Sequence, residues 1–274
     1  MTRRSSTALS LFPLATTLLI GCASAQSLDA QSGQLKAALD AAERGQLAPA
    51  QAAALSRHPA YGWVEFAQLR RNIDSVDNGQ AQAFLKRYDG QAVANSFRSV
   101  WLPSVARRQD WPTLLANWAP TDNLGLRCAQ LTARQATGKV DPQWISEAQD
   151  LWRKNGKSLP DACDAVFAVL QAQGGMSDAL RWERVDAAAD AQQPAVMRSA
   201  ARGLPAADLT LANTYAAFVD KPNASALNWP RNERSRRIAT DGLEKLAKAD
   251  PGATEQQLPQ YAQALGLSAE QQAQ

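Results

Sequence analysis

The sequence holds a single histidine, His58, in 274 residues. A Ser-His-Asp or Cys-His catalytic pairing would have to use it. It stands directly before Pro59, where a turn into a helix is the simpler reading. Metal ligands are equally scarce: three cysteines and one histidine, of which Cys22 falls in the N-terminal leader, do not make up a four-ligand set. There is no Gly-rich phosphate loop. No long stretch alternates apolar and polar residues, so strands are not expected. Charge of one sign is also missing. The net charge is +3, and loss of Arg3 and Arg4 with the leader leaves 3 − 2 = +1. Near-neutrality gives no electrostatic support for nucleic-acid binding. The one basic run, RNERSRR (231–237), contains Glu233 and reads as the solvated face of a helix start. The apolar stretch at 9–20 is broken by Pro13 and too short to span a bilayer.

What is present begins with that leader. Arg3 and Arg4, the short apolar stretch and the small residues after it read as an export signal, residues 1–25, with Ala23-Ser24-Ala25 as the cleavage site. Leu19-Ile20-Gly21-Cys22 also reads as a lipobox, which would leave Cys22 as a lipidated N-terminus. Either route delivers residues 26–274 to an oxidising compartment. Cys128 and Cys163 then remain as an even pair, and a disulfide between them is expected.

The rest of the chain reads as helix. Ala, Leu, Gln and Arg are abundant, and these favour helices. Leu124, Cys128 and Leu131 follow i, i+4, i+7, as do Val93, Phe97 and Val100, while Cys163, Val166, Phe167 and Leu170 follow i, i+3, i+4, i+7. Gly and Pro punctuate these patterns at Gly45, Pro59, Gly90, Gly138, Gly156, Pro160, Gly174, Pro194, Pro205, Pro222 and Pro251. Pro103, late in one helical pattern, is expected to kink or end it. Many short antiparallel helices with short connections mean either a bundle or a helical solenoid, and helix pairs recur every 30 to 40 residues or so, the spacing of helical arrays. The cysteines lie about one such repeat apart, so their bond would staple one hairpin to the next.

Several of these segments resemble a known family. LWRKNGKSLPDACDAVF (151–167) is similar to a signature of the soluble lytic murein transglycosylases, periplasmic enzymes that cleave peptidoglycan. HPAYGWVEFAQLR (58–70), FLKRYDGQAVANSFRSVWLPSVARRQDWPTLL (84–115), LRCAQLTARQATG (126–138) and GGMSDALRWERVDAAA (174–189) resemble further family segments in the same order. The resemblance covers residues 30 to 270 or so. It implies an all-α, right-handed superhelix (α-solenoid), U-shaped and built of short antiparallel helix hairpins, that contributes to a ring. It also implies a disulfide between Cys128 and Cys163. The family's catalyst is a glutamate in a C-terminal lysozyme-like domain, in a Glu-Ser motif followed by Gly-Leu-Met-Gln. Neither motif occurs here, and the chain stops at Gln274 within the superhelix, as an N-terminal fragment or truncated product would. The whole enzyme would cleave the MurNAc–GlcNAc bond and leave a 1,6-anhydro end, with no metal or cofactor. This segment is expected to be non-catalytic. Its partners would be peptidoglycan glycan strands and the absent catalytic domain. Its location would be the periplasm, or the outer membrane through a lipid on Cys22. The competing reading is a free-standing, protein-binding helical scaffold.

Glycoside cleavage needs a carboxyl group held protonated in a cleft. Glu65, Glu147, Glu183 and Glu244 each lie beside Arg, Lys or Gln in amphipathic patterns and are expected in surface ion pairs. Among the eight tryptophans, Trp63, Trp101 and Trp182 fall on apolar stripes and are expected in the core. Trp118 and Trp229, next to prolines, are the candidates for an exposed face that contacts glycan.

Overall fold

The computed structural model describes the backbone of residues 21–273 and the side chains of residues 30–273. Most of the expected leader, and the side chain of Cys22, lie outside the described residues. Those residues form fifteen α-helices and three short 3-10 turns, with no strand among them. The helices are α1 (Gly21–Arg44), α2 (Pro49–Leu55), α3 (Tyr61–Arg71), α4 (Asn78–Arg87), α5 (Ala92–Arg107), α6 (Trp111–Ala116), α7 (Leu124–Ala136), α8 (Pro142–Arg153), α9 (Asp164–Ala172), α10 (Asp178–Asp190), α11 (Pro194–Ala200), α12 (Ala206–Asp220), α13 (Glu233–Ala249), α14 (Pro251–Leu265) and α15 (Ala269–Ala273).

Local chemistry sets these boundaries. Asp77 and Gln80 form a reciprocal capping box at the start of α4, which satisfies two backbone donors that a helix start otherwise leaves free. Asp110, Asn123, Asp141, Ser177, Asn232 and Asp250 cap α6, α7, α8, α10, α13 and α14 with side-chain oxygens. Pro142, Pro194 and Pro251 open helices at positions where no backbone N–H is needed. Gly138 closes the turn after α7 at φ 74°, a conformation that side chains with a Cβ resist. Pro103 does not end its helix, since α5 runs through it to Arg107.

The chain divides into two compact units, up to Trp101 and from Leu102 onward, with the boundary inside α5. In the first unit, α1 packs on α3 around Ala38, Ala42, Leu55, Val64 and Ala67. Beside it the rings of Phe66, Phe84, Phe97 and Trp101 pack together, edge-on, tilted and, for Phe97 on Trp101, stacked, with neighbouring centroids 4.7 to 6.4 Å apart. Trp63 does not join them. It is 38% exposed and meets Phe66 edge-on.

In the second unit each helix packs mainly on its sequence neighbours: α6 on α7, α7 on α8, α8 on α9 and α10, then α10 through α14 in succession. That is the contact pattern of a helical array. One core cluster holds Cys128, Leu131, Trp144, Leu151, Cys163, Val166 and Leu170. A second holds Trp182, Tyr215, Phe218, Trp229, Ile238 and Tyr261.

The turn between α8 and α9 lies directly on α10. A Cβ at Gly156 would stand 2.0 Å from the Ala187 carbonyl oxygen, so only glycine allows this approach. From α10, the Arg184 guanidinium lies 4.4 Å from the Trp152 ring and 5.8 Å from the Phe167 ring. Burial pushes its pKa down to about 10, which still leaves it charged at neutral pH.

The run 231–237 is only partly a solvated face: Arg231, Asn232 and Glu233 are exposed, but three of its arginines are engaged. Arg231 donates to the Ala264 and Gln263 carbonyls at 2.8 and 3.1 Å, occupying acceptors that the end of α14 leaves open. Arg234 binds both oxygens of Asp186, at 2.7 and 3.0 Å, and lies 4.4 Å from the Trp182 ring. Arg237 reaches Asp186 at 2.9 Å and Asp190 at 3.6 Å. These arginines join α13 to α10 and Arg231 joins it to α14.

Candidate functional site

A groove of about 900 Å³ opens beside α7 and α8 in the second unit. Its walls come from Leu115 of α6 and the segment after it (Trp118, Pro120, Thr121, Asp122), from α7 (Arg127, Gln130, Leu131, Arg134) and from Lys139, Asp141, Gln143, Glu147 and Leu151. Sequence spacing puts Arg127, Gln130 and Arg134 at i, i+3, i+7, one face of α7. The apolar face of α7, with Cys128 and Leu131, turns to the core.

Arg134 organises the floor. Its side chain is 11% exposed, and it binds Asp141 at 2.9 Å and Glu147 at 2.7 Å. Gln143 donates to the other oxygen of Glu147 at 2.8 Å. A guanidinium so enclosed needs such partners, because an unpaired buried charge is costly. Asp141 also accepts the Trp144 backbone N–H at 2.8 Å, capping α8. That bond first, and then Arg134, holds its carboxyl below the usual range against the opposing effect of burial. In contrast, Arg127, Gln130 and Lys139 make no side-chain hydrogen bond or ion pair among the described residues. Trp118, half-buried, adds an aromatic surface to this polar wall.

A group whose pKa is depressed on folding contributes stability above its unfolded pKa, about 3.9 for Asp, and loses it as pH falls through the folded value. Asp141→Asn keeps a capping oxygen but removes the charge. Urea unfolding should show the variant below the parent at pH 7, with the two curves converging toward pH 3. A gap that persists unchanged at pH 3 would mean that the Asp141 charge is not what stabilises α8.

The residues singled out in the sequence fall as follows. The sulfurs of Cys128, on α7, and Cys163, at the 3-10 turn before α9, stand 1.99 Å apart with Cα atoms 4.9 Å apart, inside the span of a disulfide. Trp118 lines the groove. Trp229 does not face solvent: it is 6% exposed, its Nε1 donates to Thr214 at 3.0 Å, and its ring meets Tyr215 and Phe218 edge-on at 4.5 and 5.0 Å. The 3-10 turn at Ala224–Asn228 packs on α12 just ahead of it, which a proline-flanked loop does not announce. His58 is a turn residue whose Nδ1 accepts the Ala60 N–H at 3.1 Å.

All four candidate carboxylates are ion-paired. Glu65 takes Arg87 at 2.6 Å and the Tyr88 hydroxyl at 2.5 Å; burial first, then that bond, pushes the Tyr88 pKa up to about 12. Glu147 takes Arg134, Glu183 takes Arg153 at 3.5 Å and Glu244 takes Lys248 at 2.5 Å. Sequence reading missed Arg134 and the groove. The polar face of α7 was visible, but it looks the same as any solvated helix face.

Short helices packed neighbour on neighbour define a helical-repeat protein. No protein-family model matches the chain. The soluble lytic murein transglycosylase of Escherichia coli K12 is 27% identical over 223 residues, covering 79% of this chain and 34% of that protein. The crystal structure of the 70 kDa soluble lytic transglycosylase Slt70 from Escherichia coli matches with a TM-score of 0.72 at 24% identity, over 90% of this chain and 40% of that one. An inactive mutant of lytic transglycosylase Slt from Pseudomonas aeruginosa matches at 0.61 and 24%, over 88% and 39%. The chain is similar to the soluble lytic murein transglycosylases, and its helices share the superhelical fold of those structures. It spans about a third of the length of the curated relatives it matches, 34%.

Proposed function

We propose that residues 26–274 are the ring-forming superhelical part of a periplasmic lytic transglycosylase, and that this part engages peptidoglycan without cleaving it. The observation that carries the reading is the 223-residue match to enzymes whose name specifies murein. The leader with its Ala-x-Ala site supports export. The pair of cysteine sulfurs at bonding distance suits an oxidising compartment. The ion-paired state of Glu65, Glu147, Glu183 and Glu244 supports the non-catalytic part of the reading, since a general acid at neutral pH needs a site that favours the neutral carboxyl. The groove at Trp118 is the surface best suited to a sugar, because it sets an aromatic ring beside planar, hydrogen-bonding side chains. Trp229, being buried, has no part in it.

Peptidoglycan sacculi incubated with residues 26–274 should release no anhydromuropeptides above a protein-free control, by mass spectrometry, while the protein co-sediments with the sacculi. Anhydro products would overturn the non-catalytic reading and direct attention to Glu65, Glu147 and Glu183. Absence of co-sedimentation would remove glycan as the partner.

A further inference from the structure

We propose that Asp241 and Gln192 form a proton-operated latch between α13 and the turn after α10. Asp241 takes up a proton as its surroundings turn mildly acidic, and its hydroxyl then donates to the Gln192 Oε1. Such a latch sets the stiffness of the helical array and works whether or not the chain binds glycan.

A pocket of about 480 Å³ lies between these elements. Asp190, the last residue of α10, and Gln192 line one side, and Arg237, Asp241, Glu244, Lys245 and Lys248 of α13 line the other. The helices α12 and α14 also pack on α13 but place no charged side chain in these walls. Asp241 is half-buried and makes no hydrogen bond or ion pair among the described residues. Each cation of the pocket is engaged elsewhere. Arg237 lies against Asp186 at 2.9 Å and Asp190 at 3.6 Å, Lys248 pairs with Glu244 at 2.5 Å, and Lys245 donates to the Val219 carbonyl at 3.2 Å. The remaining charged neighbours, Asp190 and Glu244, share the sign of Asp241. A carboxylate short of water and beside two others favours its neutral form. Burial first, and then Asp190, pushes the Asp241 pKa up against the opposing effect of Arg237.

Gln192 brings an acceptor to the same pocket. Its backbone is left-handed, φ 54°, which a residue with a Cβ resists. Its Nε2 donates to the Ala189 carbonyl at 3.3 Å, so the orientation of the amide is set, and its Oε1 is buried without a donor. An acceptor left in that state is costly. An ionised carboxylate has no proton to offer it, whereas a neutral carboxyl has one. One proton therefore removes two penalties, the unpaired charge of Asp241 and the unpaired oxygen of Gln192. No set of three metal-ligating side chains converges among the described residues, so the proton is the cation that suits this pocket.

A carboxyl whose pKa is raised on folding costs stability above its folded value. That cost fades as pH falls through the folded value toward the unfolded one, about 3.9 for Asp. Carboxyl-carbon NMR of the exported chain should give Asp241, assigned through Asp241→Asn, a midpoint above about 3.9. Asp241→Asn is neutral and its amide can donate to Gln192. It should melt about 2–4 °C above the parent at pH 7 and together with it at pH 4. Gln192→Met removes the acceptor. It should lower the melting temperature more at pH 4 than at pH 7 in the parent, and equally at both in the Asp241→Ala background. A midpoint at or below the ordinary value, or an Asp241→Asn gap that does not change with pH, overturns the proton site. A Gln192→Met effect that is the same at both pH values in the parent overturns the latch.

Discussion

Cys163→Ser lowers the unfolding free energy by about 4 kcal/mol, and the same loss appears in the parent protein when reductant is added. The figure follows from closing a loop across a separation of 35 residues, which limits the freedom of the unfolded chain by that order on the chain-entropy estimate. A bond here would tie α7 to the turn before α9, and both cysteines lie in the cluster that includes Leu131, Trp144 and Leu170. Melting of Cys163→Ser, Cys128→Ser and the reduced parent should therefore give one common shift. Thiol labelling of the unfolded, unreduced protein, with Cys22 removed, supplies the independent check. Two reactive thiols per chain would refute the bond outright.

Trp144→Ala is the second large effect, about 3–5 kcal/mol in urea unfolding. Trp144 is fully buried, and its Nε1 donates to the Leu131 carbonyl at 2.8 Å, so the indole joins α8 to α7 behind the groove. Truncation opens a cavity between the two helices and leaves a carbonyl without its partner. Trp144→Phe keeps most of the apolar contact and loses the hydrogen bond, which should limit the cost to about 1 kcal/mol. Equal losses in the two variants would mean that the bond to Leu131, and not the packing, is what holds α8. The groove tests the same geometry. Asp141, Gln143 and Glu147 all stand on or beside the first turns of α8, so sacculus binding should weaken in Trp144→Ala at temperatures where the protein is still folded.

The helices and the cysteine pair were legible because both follow from local rules. Gly138 and Pro142 bracket a turn, and Cys128 and Cys163 are the two cysteines left once Cys22 is set aside with the expected leader. Burial was less legible, because it depends on which element arrives to cover a stripe. Trp63 shares a helical stripe with apolar neighbours, yet Phe66 occupies the packed position and Trp63 remains outside. Trp229 has loop neighbours, yet α12 presents Thr214, Tyr215 and Phe218 to its two ends. The arginines of 231–237 found Asp186 some 48 positions away, a pairing that no local pattern encodes. Arg134 escaped notice for the same reason: its role depends on α8 folding back to bring Asp141 and Glu147 onto it.

The neighbour-on-neighbour packing of the second unit has a mechanical side. Such an array, pulled from its ends, can peel one helix at a time, since few contacts bridge distant parts of the chain. With Cys128 and Cys163 joined, the segment between them cannot pay out. At about 3.5 Å per residue, a separation of 35 residues withholds roughly 120 Å of extension. Under load, α8 and its turns would be shielded from tension by the covalent shortcut, and the groove wall they carry would be among the last features to lose its shape.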